Sequence, residues 1–402
     1  MNKICVIVGM SHAGVHVAVN LRKFGWVGEI IMVGDEEILP YHRPPLSKKY
    51  LKQDAEPAFI YSDESLKELN IQYRLGQKVS DVDRQNKFIT LEDGSKIVYD
   101  KLVLCTGATP RKIDFEGDSS QKIFYLRNIE DADLIKKNIN GAKKVLIVGA
   151  GFIGLEIAAS LKELGVEVTI LENSHRILSR NLDQEMSDYM LNLHKEKQVN
   201  ILTNTTVSKI EKLDSLLRVF TDQDSIFDVD FIIVGIGVIP NIELAHKANL
   251  NIENGIQVDE YGMTSDKNIY AAGDCTSFPC VFNKTFVRLE CLSNAVDQAK
   301  VVAQNLCKVN AIHDSTPWFW SEQYDRRIQI IGTLPKKYQV FEKLVENKGL
   351  CRVYIEDDHI RMVVCINAAV LFNQFKKILN LNSKRVFKDV ESIDDYLSMT
   401  LS

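Results

Sequence analysis

The sequence predicts an α/β fold in which one parallel-sheet unit interrupts another, followed by a smaller α+β unit. Two glycine-rich turns predict the pair of units. The first reads Ile4-Cys5-Val6-Ile7-Val8-Gly9-Met10-Ser11-His12-Ala13-Gly14 and the second Val145-Leu146-Ile147-Val148-Gly149-Ala150-Gly151-Phe152-Ile153-Gly154. Each turn follows a hydrophobic strand and opens an amphipathic helix. The interruption is predicted by two strand-like runs that end in small residues or proline, K-L-V-L-C-T-G at 101–107 and F-I-I-V-G-I-G-V-I-P at 231–240.

A strand that turns through glycines onto a helix N-terminus offers bare N–H groups and a positive dipole end to a pyrophosphate. One such loop suggests one dinucleotide. Two suggest that electrons pass from one dinucleotide to another. The second loop has all three glycines, and Glu172 ends the next strand, where a ribose-binding carboxylate belongs. The first has Ser11 in place of the middle glycine, which weakens it, with Asp35 and Glu36 at the corresponding strand end. Either loop alone also reads as a tight turn of an ordinary α/β protein.

The chain of 402 residues has room for two or three domains. Its 45% hydrophobic and 26% charged residues are ordinary, and a net charge of −5 argues against nucleic acid as a partner. Strand residues begin at Ile4, and the apolar stretch 145–161 is too short for a bilayer and contains Glu156. A cytoplasmic protein with no membrane partner is expected. Eight cysteines include no C-x-x-C, so no redox disulfide is expected; Cys5 and Cys105 read as buried thiols, and no metal-binding set is assigned.

Strand and helix patterns alternate through the first 240 residues, which predicts parallel sheets with crossover helices. The predicted units are 1–112 with 241–317, the inserted 113–240, and 318–402. The first-loop helix is expected over 14–24. In the third unit, strands are expected at 327–331, 351–355 and 361–366, with an amphipathic helix at 372–381.

Three motifs carry a resemblance over nearly the whole length: V-G-D-E…P-Y-H-R-P-P-L-S-K at 33–48, A-A-G-D at 271–274, and P-W-F-W-S-E-Q-Y at 317–324. The chain resembles the FAD-dependent, NADH-using ferredoxin reductases of bacterial oxygenase systems. The resemblance implies a glutathione-reductase-like α/β architecture, with two Rossmann-like dinucleotide-binding domains and a C-terminal α+β domain. By position it places Gly9, His12, Ala13 and Gly14 on the FAD pyrophosphate, with Asp35 or Glu36 on the adenosine ribose. It brings Arg43 to the phosphates and Lys48 to the isoalloxazine, and sets Val79, Thr106 and Gly107 along the adenine and pyrophosphate side. Arg127 becomes a flavin contact, Gly273 and Asp274 approach the ribityl chain, and Leu292 offers a backbone N–H to the pyrimidine edge. For NADH it implies Gly149, Gly151, Phe152, Ile153 and Gly154 at the pyrophosphate, and Gly235, Ile236 and Gly237 beneath the nicotinamide half.

Hydride transfer needs two rings in contact with water excluded, so the protein's task is position and electrostatics. The resemblance pairs Glu156 with Lys48 beside the flavin and sets Trp320 over the flavin edge that faces the partner. Glu172 favours NADH over NADPH; Arg176 and Arg180 nearby could soften that preference, though they also read as a plain charged face. The implied partner is a [2Fe–2S] ferredoxin serving a cytochrome P450 or Rieske-type oxygenase. Its acidic face would meet Lys300, Arg326, Arg327, Lys336, Lys337, Lys376, Lys377, Lys384 and Arg385. Rubredoxin reduction and an apoptosis-inducing-factor-like, NADH-binding signalling role are the alternatives. A disulfide reductase is opposed by Pro44-Pro45-Leu46-Ser47-Lys48, where a reactive cysteine would sit. A monomer is expected.

Overall fold

The computed structural model describes residues 3–116, 121–280, 282, 285–346, 348–381 and 390–401. Two five-stranded parallel sheets are built alike around a central strand, except that one edge strand comes last in the chain in the first sheet and first in the second. Across the first run Ile269–Ala271, Lys101–Leu104, Ile4–Val8, Glu29–Val33 and Gln72–Arg74. Across the second run Ile123–Tyr125, Phe231–Val234, Lys144–Val148, Glu167–Glu172 and Asn200–Thr203. The strand before each glycine loop is central and covered on both faces, which is why it reads as an unbroken apolar run. Strand order reverses at these central strands, so each loop sits in the crevice where open α/β sheets bind ligands.

The chain leaves the first sheet after Lys101–Leu104 and rejoins it at Ile269–Ala271. The outgoing and returning segments, Ala108–Pro110 and Val238–Pro240, pair antiparallel. Asn241 clamps them, donating from Nδ2 to the Thr106 carbonyl at 2.8 Å and accepting at its own carbonyl from the Thr106 hydroxyl at 2.7 Å.

The expected simple alternation fails at one place in each unit. After the parallel strands Gln72–Arg74 and Asn200–Thr203 comes a three-stranded antiparallel sheet: Val79–Asp83, Phe88–Leu91 and Lys96–Val98 in the first unit, and Val207–Lys212, Leu217–Thr221 and Ile226–Val229 in the second. The physical reason is turn chemistry. Asp83 Oδ1 accepts from the backbone N–H of Gln85 and Asn86 at 3.1 and 2.8 Å, closing a hairpin too short to hold a helix.

The third unit is an antiparallel sheet in the order Trp318–Gln323, Arg326–Gly332, His359–Ile366, Gly349–Glu356 and Gln339–Val345. The sequence reading found the three central strands; its helix begins earlier, at Ala369–Leu381. One face of this sheet is covered by that helix through Phe372 and Phe375. The other face, carrying Ile328, Ile330 and Val364, joins the core of the second unit around Leu155 and Ile157. The sheet is thereby fixed against the helix that the second glycine loop opens. Among the described residues no helix is long and apolar enough to cross a membrane.

Candidate active site

Three of the longer helices begin without a side-chain cap: His12–Lys23 after the first loop, Phe152–Glu163 after the second, and Leu292–Leu306. Their neighbours Ile129–Ile139 and Gln184–Glu196 are capped by Asn128 and Asp183. An uncapped first turn leaves N–H donors unspent, so these three ends are able to take an external anion or carbonyl.

The glycines divide into two kinds. Gly9 (φ 102°) and Gly149 (φ 104°) are required by packing, because an added Cβ would lie 2.1 Å from the Cys105 carbonyl oxygen and 2.5 Å from that of Gly235. Gly151 and Gly237 face open space, with nothing within 4 Å of an added Cβ. That space, bordered by the bare helix end, fits a pyrophosphate of a bound dinucleotide. On the first-loop side the fit rests on His12, which is 7% exposed and whose Nε2 has no partner among the described residues.

All three units meet at Glu156, on the first turn after Gly154. Its side chain is 3% exposed, so it needs compensating donors. Oε2 accepts from Lys48 Nζ at 2.6 Å and from the Ser47 hydroxyl at 2.5 Å, and Oε1 accepts from the Ser321 hydroxyl at 2.6 Å. The prolines at the start of the 3-10 turn Pro44–Ser47 restrict that segment, and the Ser160 hydroxyl pins the Ser47 carbonyl at 2.8 Å. Lys48 from the first unit, Glu156 from the second and Ser321 from the third therefore form one cluster, with the carboxylate and the serine buried and the lysine half-buried.

Around the first loop, Glu36 is paired with Arg43 and accepts from the Tyr41 hydroxyl at 2.5 Å, while Asp35 stays exposed. Both acids line a cleft with Met10, Ser11 and Arg43. Ser11 has a role the sequence reading missed: its Oγ accepts from Arg43 Nε at 2.8 Å, and Arg43 also donates to the Arg127 carbonyl at 2.8 Å. Arg127 in turn pairs with Asp274 at 3.0 Å, and an added Cβ on Gly107 would lie 3.2 Å from its Nη2. An added Cβ on Gly273 would lie 3.0 Å from the Ala13 Cβ, so the A-A-G-D turn abuts the first loop. Val79 packs in the core with Ile89 and Leu91, which leaves only its backbone for a ligand.

Residues 3–299 match the pyridine nucleotide-disulphide oxidoreductase family, and residues 318–395 match the reductase C-terminal family. The chain belongs to the pyridine nucleotide-disulphide oxidoreductases. It is similar to putidaredoxin reductase of Pseudomonas putida, 35% identical over 93% of this chain and 91% of the relative. It is also similar to rhodocoxin reductase of Rhodococcus erythropolis, 39% identical over 81% of this chain and 77% of the relative. The crystal structure of a ferredoxin reductase for the CYP199A2 system of Rhodopseudomonas palustris superposes with a TM-score of 0.95 at 31% identity, over 100% of both chains. Putidaredoxin reductase in its covalent complex with putidaredoxin gives 0.90 at 34% identity, over 94% of this chain and 93% of that one.

This oxidoreductase holds Glu172 at the end of its strand, with Oε2 accepting from the Ala150 N–H and Oε1 from the Ser174 N–H, both at 2.8 Å. Arg176 does not reach toward it. Its guanidinium is spent on the Leu182 carbonyl at 2.6 Å, the Ser187 hydroxyl at 2.7 Å and the Ser179 carbonyl at 3.1 Å. With a carboxylate held at the strand end beside the second loop and that arginine turned away, kcat/KM for NADH should exceed that for NADPH by roughly 100-fold. Steady-state assays giving equal values would refute the assignment.

The third unit's first strand alternates two functions. Trp318 and Trp320 stack at 5.7 Å on one face, with Lys376 lying 3.6 Å from the Trp318 ring centroid. Phe319 on the other face meets the Phe152 ring edge-on at 4.9 Å. Arg326 needs correction as a docking residue: it is 8% exposed, donates to the Tyr189 hydroxyl at 2.9 Å and pairs with Asp325. Its place directly after the hairpin turn points it inward, against the second unit. Lys300, Arg327, Lys336, Lys337 and Lys377 are exposed, Lys376 is half-buried, and Lys384 and Arg385 lie outside the described residues.

Three histidines of this oxidoreductase are buried as neutral rings. Burial lowers His12 to about 3, and His194 and His313 to about 4, from 6.5. The unfolded chain takes up protons at these sites below pH 6.5, and the folded chain does not until near pH 4. Stability is therefore full above pH 6.5 and falls as pH drops through that window. Urea midpoints at pH 7.5 and 5 check this; a higher midpoint at pH 5 would contradict it.

Proposed function

We propose that the chain is an FAD-dependent reductase that takes a hydride from NADH and delivers single electrons to a [2Fe–2S] ferredoxin, which serves a cytochrome P450 or Rieske-type oxygenase. The observation that carries this is the Lys48–Glu156 pair, buried where the two uncapped glycine-loop helices and the third unit converge. Its supports are membership of a flavin- and nicotinamide-using family and the ferredoxin-reductase relatives of full-length match.

FAD supplies the conversion of a two-electron donor into single-electron deliveries. The residues do the rest by position. Segments 1–112 and 241–317 form the FAD unit, where Gly9, His12, Ala13 and Gly14 receive the pyrophosphate, Asp35 or Glu36 the ribose, and Arg43 the phosphates. Backbone at Val79, Thr106 and Gly107 lines that nucleotide, Arg127, Gly273 and Asp274 hold its flavin half, and Leu292 offers a helix-end N–H. Segment 113–240 takes NADH at Gly149, Gly151, Phe152, Ile153 and Gly154, with Glu172 on the ribose and Gly235, Ile236 and Gly237 under the nicotinamide half. Lys48 and Glu156 set fixed charge of both signs at the junction and exclude water from it. In segment 318–402, Trp320 shields the edge from which electrons leave. The protein works as a monomer in the cytoplasm.

Purified holoprotein, NADH and a panel of iron–sulfur proteins test this through cytochrome c reduction. Reduction that requires a [2Fe–2S] ferredoxin is expected, and reduction through rubredoxin alone would favour the alternative acceptor. Trp320→Ala should slow ferredoxin reduction about tenfold while changing NADH-driven flavin reduction less than twofold; equal slowing of both would remove Trp320 from the exit route.

A further inference from the structure

The inner face of strand Trp318–Gln323 presents Ser321 and Gln323, each 1% exposed, and both continue a hydrogen-bond chain beyond Glu156. Gln323 Nε2 lies 3.0 Å from the Ser321 oxygen, Gln323 Oε1 lies 2.8 Å from His194 Nε2, and His194 Nδ1 lies 3.3 Å from the Tyr324 hydroxyl. His194 is itself 0% exposed.

The direction of every bond follows from the carboxylate. An ionised Glu156 only accepts, so Ser321 must donate to it. The Ser321 oxygen then accepts from the Gln323 amide N–H, which leaves the Gln323 oxygen facing His194. That oxygen only accepts, so the proton of neutral His194 sits on Nε2, and Nδ1 accepts from Tyr324. All four bonds point the same way, and aligned bonds in a dry interior polarise one another.

We propose that Ser321 and Gln323, backed by His194 and Tyr324, are positioning residues that hold Glu156 in the orientation it needs beside the nicotinamide. The proposal rests on the reading above that Glu156 works at the junction of the two cofactor sites. The chain transmits orientation rather than protons, because the Gln323 amide presents oxygen at one end and nitrogen at the other and does not pass a proton between them.

Two further observations agree. Tyr324 adopts φ 54° in the two-residue turn joining Trp318–Gln323 to Arg326–Gly332, a conformation that side chains rarely take and that hairpin turns usually give to glycine. The same strand carries Trp320 on its opposite face, so a single rigid element orients both Glu156 and the proposed electron exit. The groups facing His194 are Gln323 and Tyr324 from the hairpin. Lys197, just past the end of its own helix, lies over the Tyr324 ring at 5.7 Å, and Glu163 acts on Tyr324 from the second-loop helix.

The test uses FAD-loaded protein, wild type and the variants Ser321→Ala, Ser321→Thr, Gln323→Glu and Glu156→Gln. A glutamate at position 323 keeps the shape, but it accepts from both neighbours and so draws the Ser321 proton away from Glu156. Long-range proton–nitrogen correlations on 15N-histidine-labelled protein should show neutral, Nε2-protonated His194 at pH 7 in wild type, with its titration moved upward in Gln323→Glu. Anaerobic rapid mixing with NADH should show the limiting rate of flavin reduction down about tenfold in Ser321→Ala and Gln323→Glu, with half-saturation unchanged and Ser321→Thr within twofold of wild type. An Nδ1-protonated or charged His194 would overturn the chain. Wild-type rates in both chain variants, with Glu156→Gln slow, would overturn the positioning role alone. A wild-type rate in Glu156→Gln would instead overturn the underlying reading of the junction.

Discussion

Lys48→Met should slow reduction of the bound flavin by NADH roughly 100-fold, the size of effect seen when one preorganised donor is removed from a buried site. The same change should destabilise the fold by about 3–5 kcal/mol, because Glu156, 3% exposed, would lose the cation paired with it. Ser47 and Ser321 would still donate to it, but hydroxyl dipoles do not neutralise a carboxylate. Glu156→Gln should give a comparable kinetic loss with a smaller stability loss, since no buried negative charge remains. Anaerobic rapid mixing at the flavin absorbance and a denaturant titration separate the two effects. A Lys48→Met protein with the wild-type rate would show that the pair is only structural.

The second large effect is a contrast within one loop. Gly149→Ala should destabilise the protein by about 4 kcal/mol or more, in the range reserved for forced backbone movement. Its Cβ would lie 2.5 Å from the Gly235 carbonyl oxygen at φ 104°. Neither backbone is free to retreat: Gly149 N–H donates to the Leu171 carbonyl and Gly235 N–H to the Val148 carbonyl, each at 2.8 Å. Gly151→Ala, two residues on, meets nothing within 4 Å and should fold within about 0.5 kcal/mol of wild type. Its methyl group would occupy the space assigned to the NADH pyrophosphate, so NADH affinity should fall about tenfold or more. Denaturation midpoints and NADH titration distinguish them. A Gly151→Ala protein that binds NADH normally would move the nucleotide elsewhere.

The two loops were legible in the sequence because their glycines answer to local demands, a positive φ and a close backbone approach, which no distant contact alters. The central parallel strands were legible for a similar reason, since burial on both faces writes itself as an apolar run. The small antiparallel sheets were not. Strands such as Lys96–Val98 are too short to display a period, and their pairing is set by turns such as that of Asp83. Lys48 and Glu156 were joined across 108 residues only by the resemblance. Ser321 and Gln323 lay inside a motif of the resemblance with no role assigned, and His194 gave no signal, because such side chains look solvated until partners 165 and 129 residues away cover them. Arg326 misled for the opposite reason: charge in a basic stretch reads as surface, and a second unit packed against it.

The central claim is that two nucleotide clamps meet across a lysine–glutamate pair with no sulfur relay. Pro44-Pro45-Leu46-Ser47-Lys48 holds the place of a reactive cysteine, and the close thiols Cys351 and Cys365, 3.6 Å apart, belong to adjacent strands of the third unit's sheet. Anaerobic titration of the FAD-loaded protein with NADH tests this most directly. Complete bleaching of the flavin by one NADH per FAD, with no further uptake, is the predicted result; consumption of a second equivalent by a dithiol would contradict it.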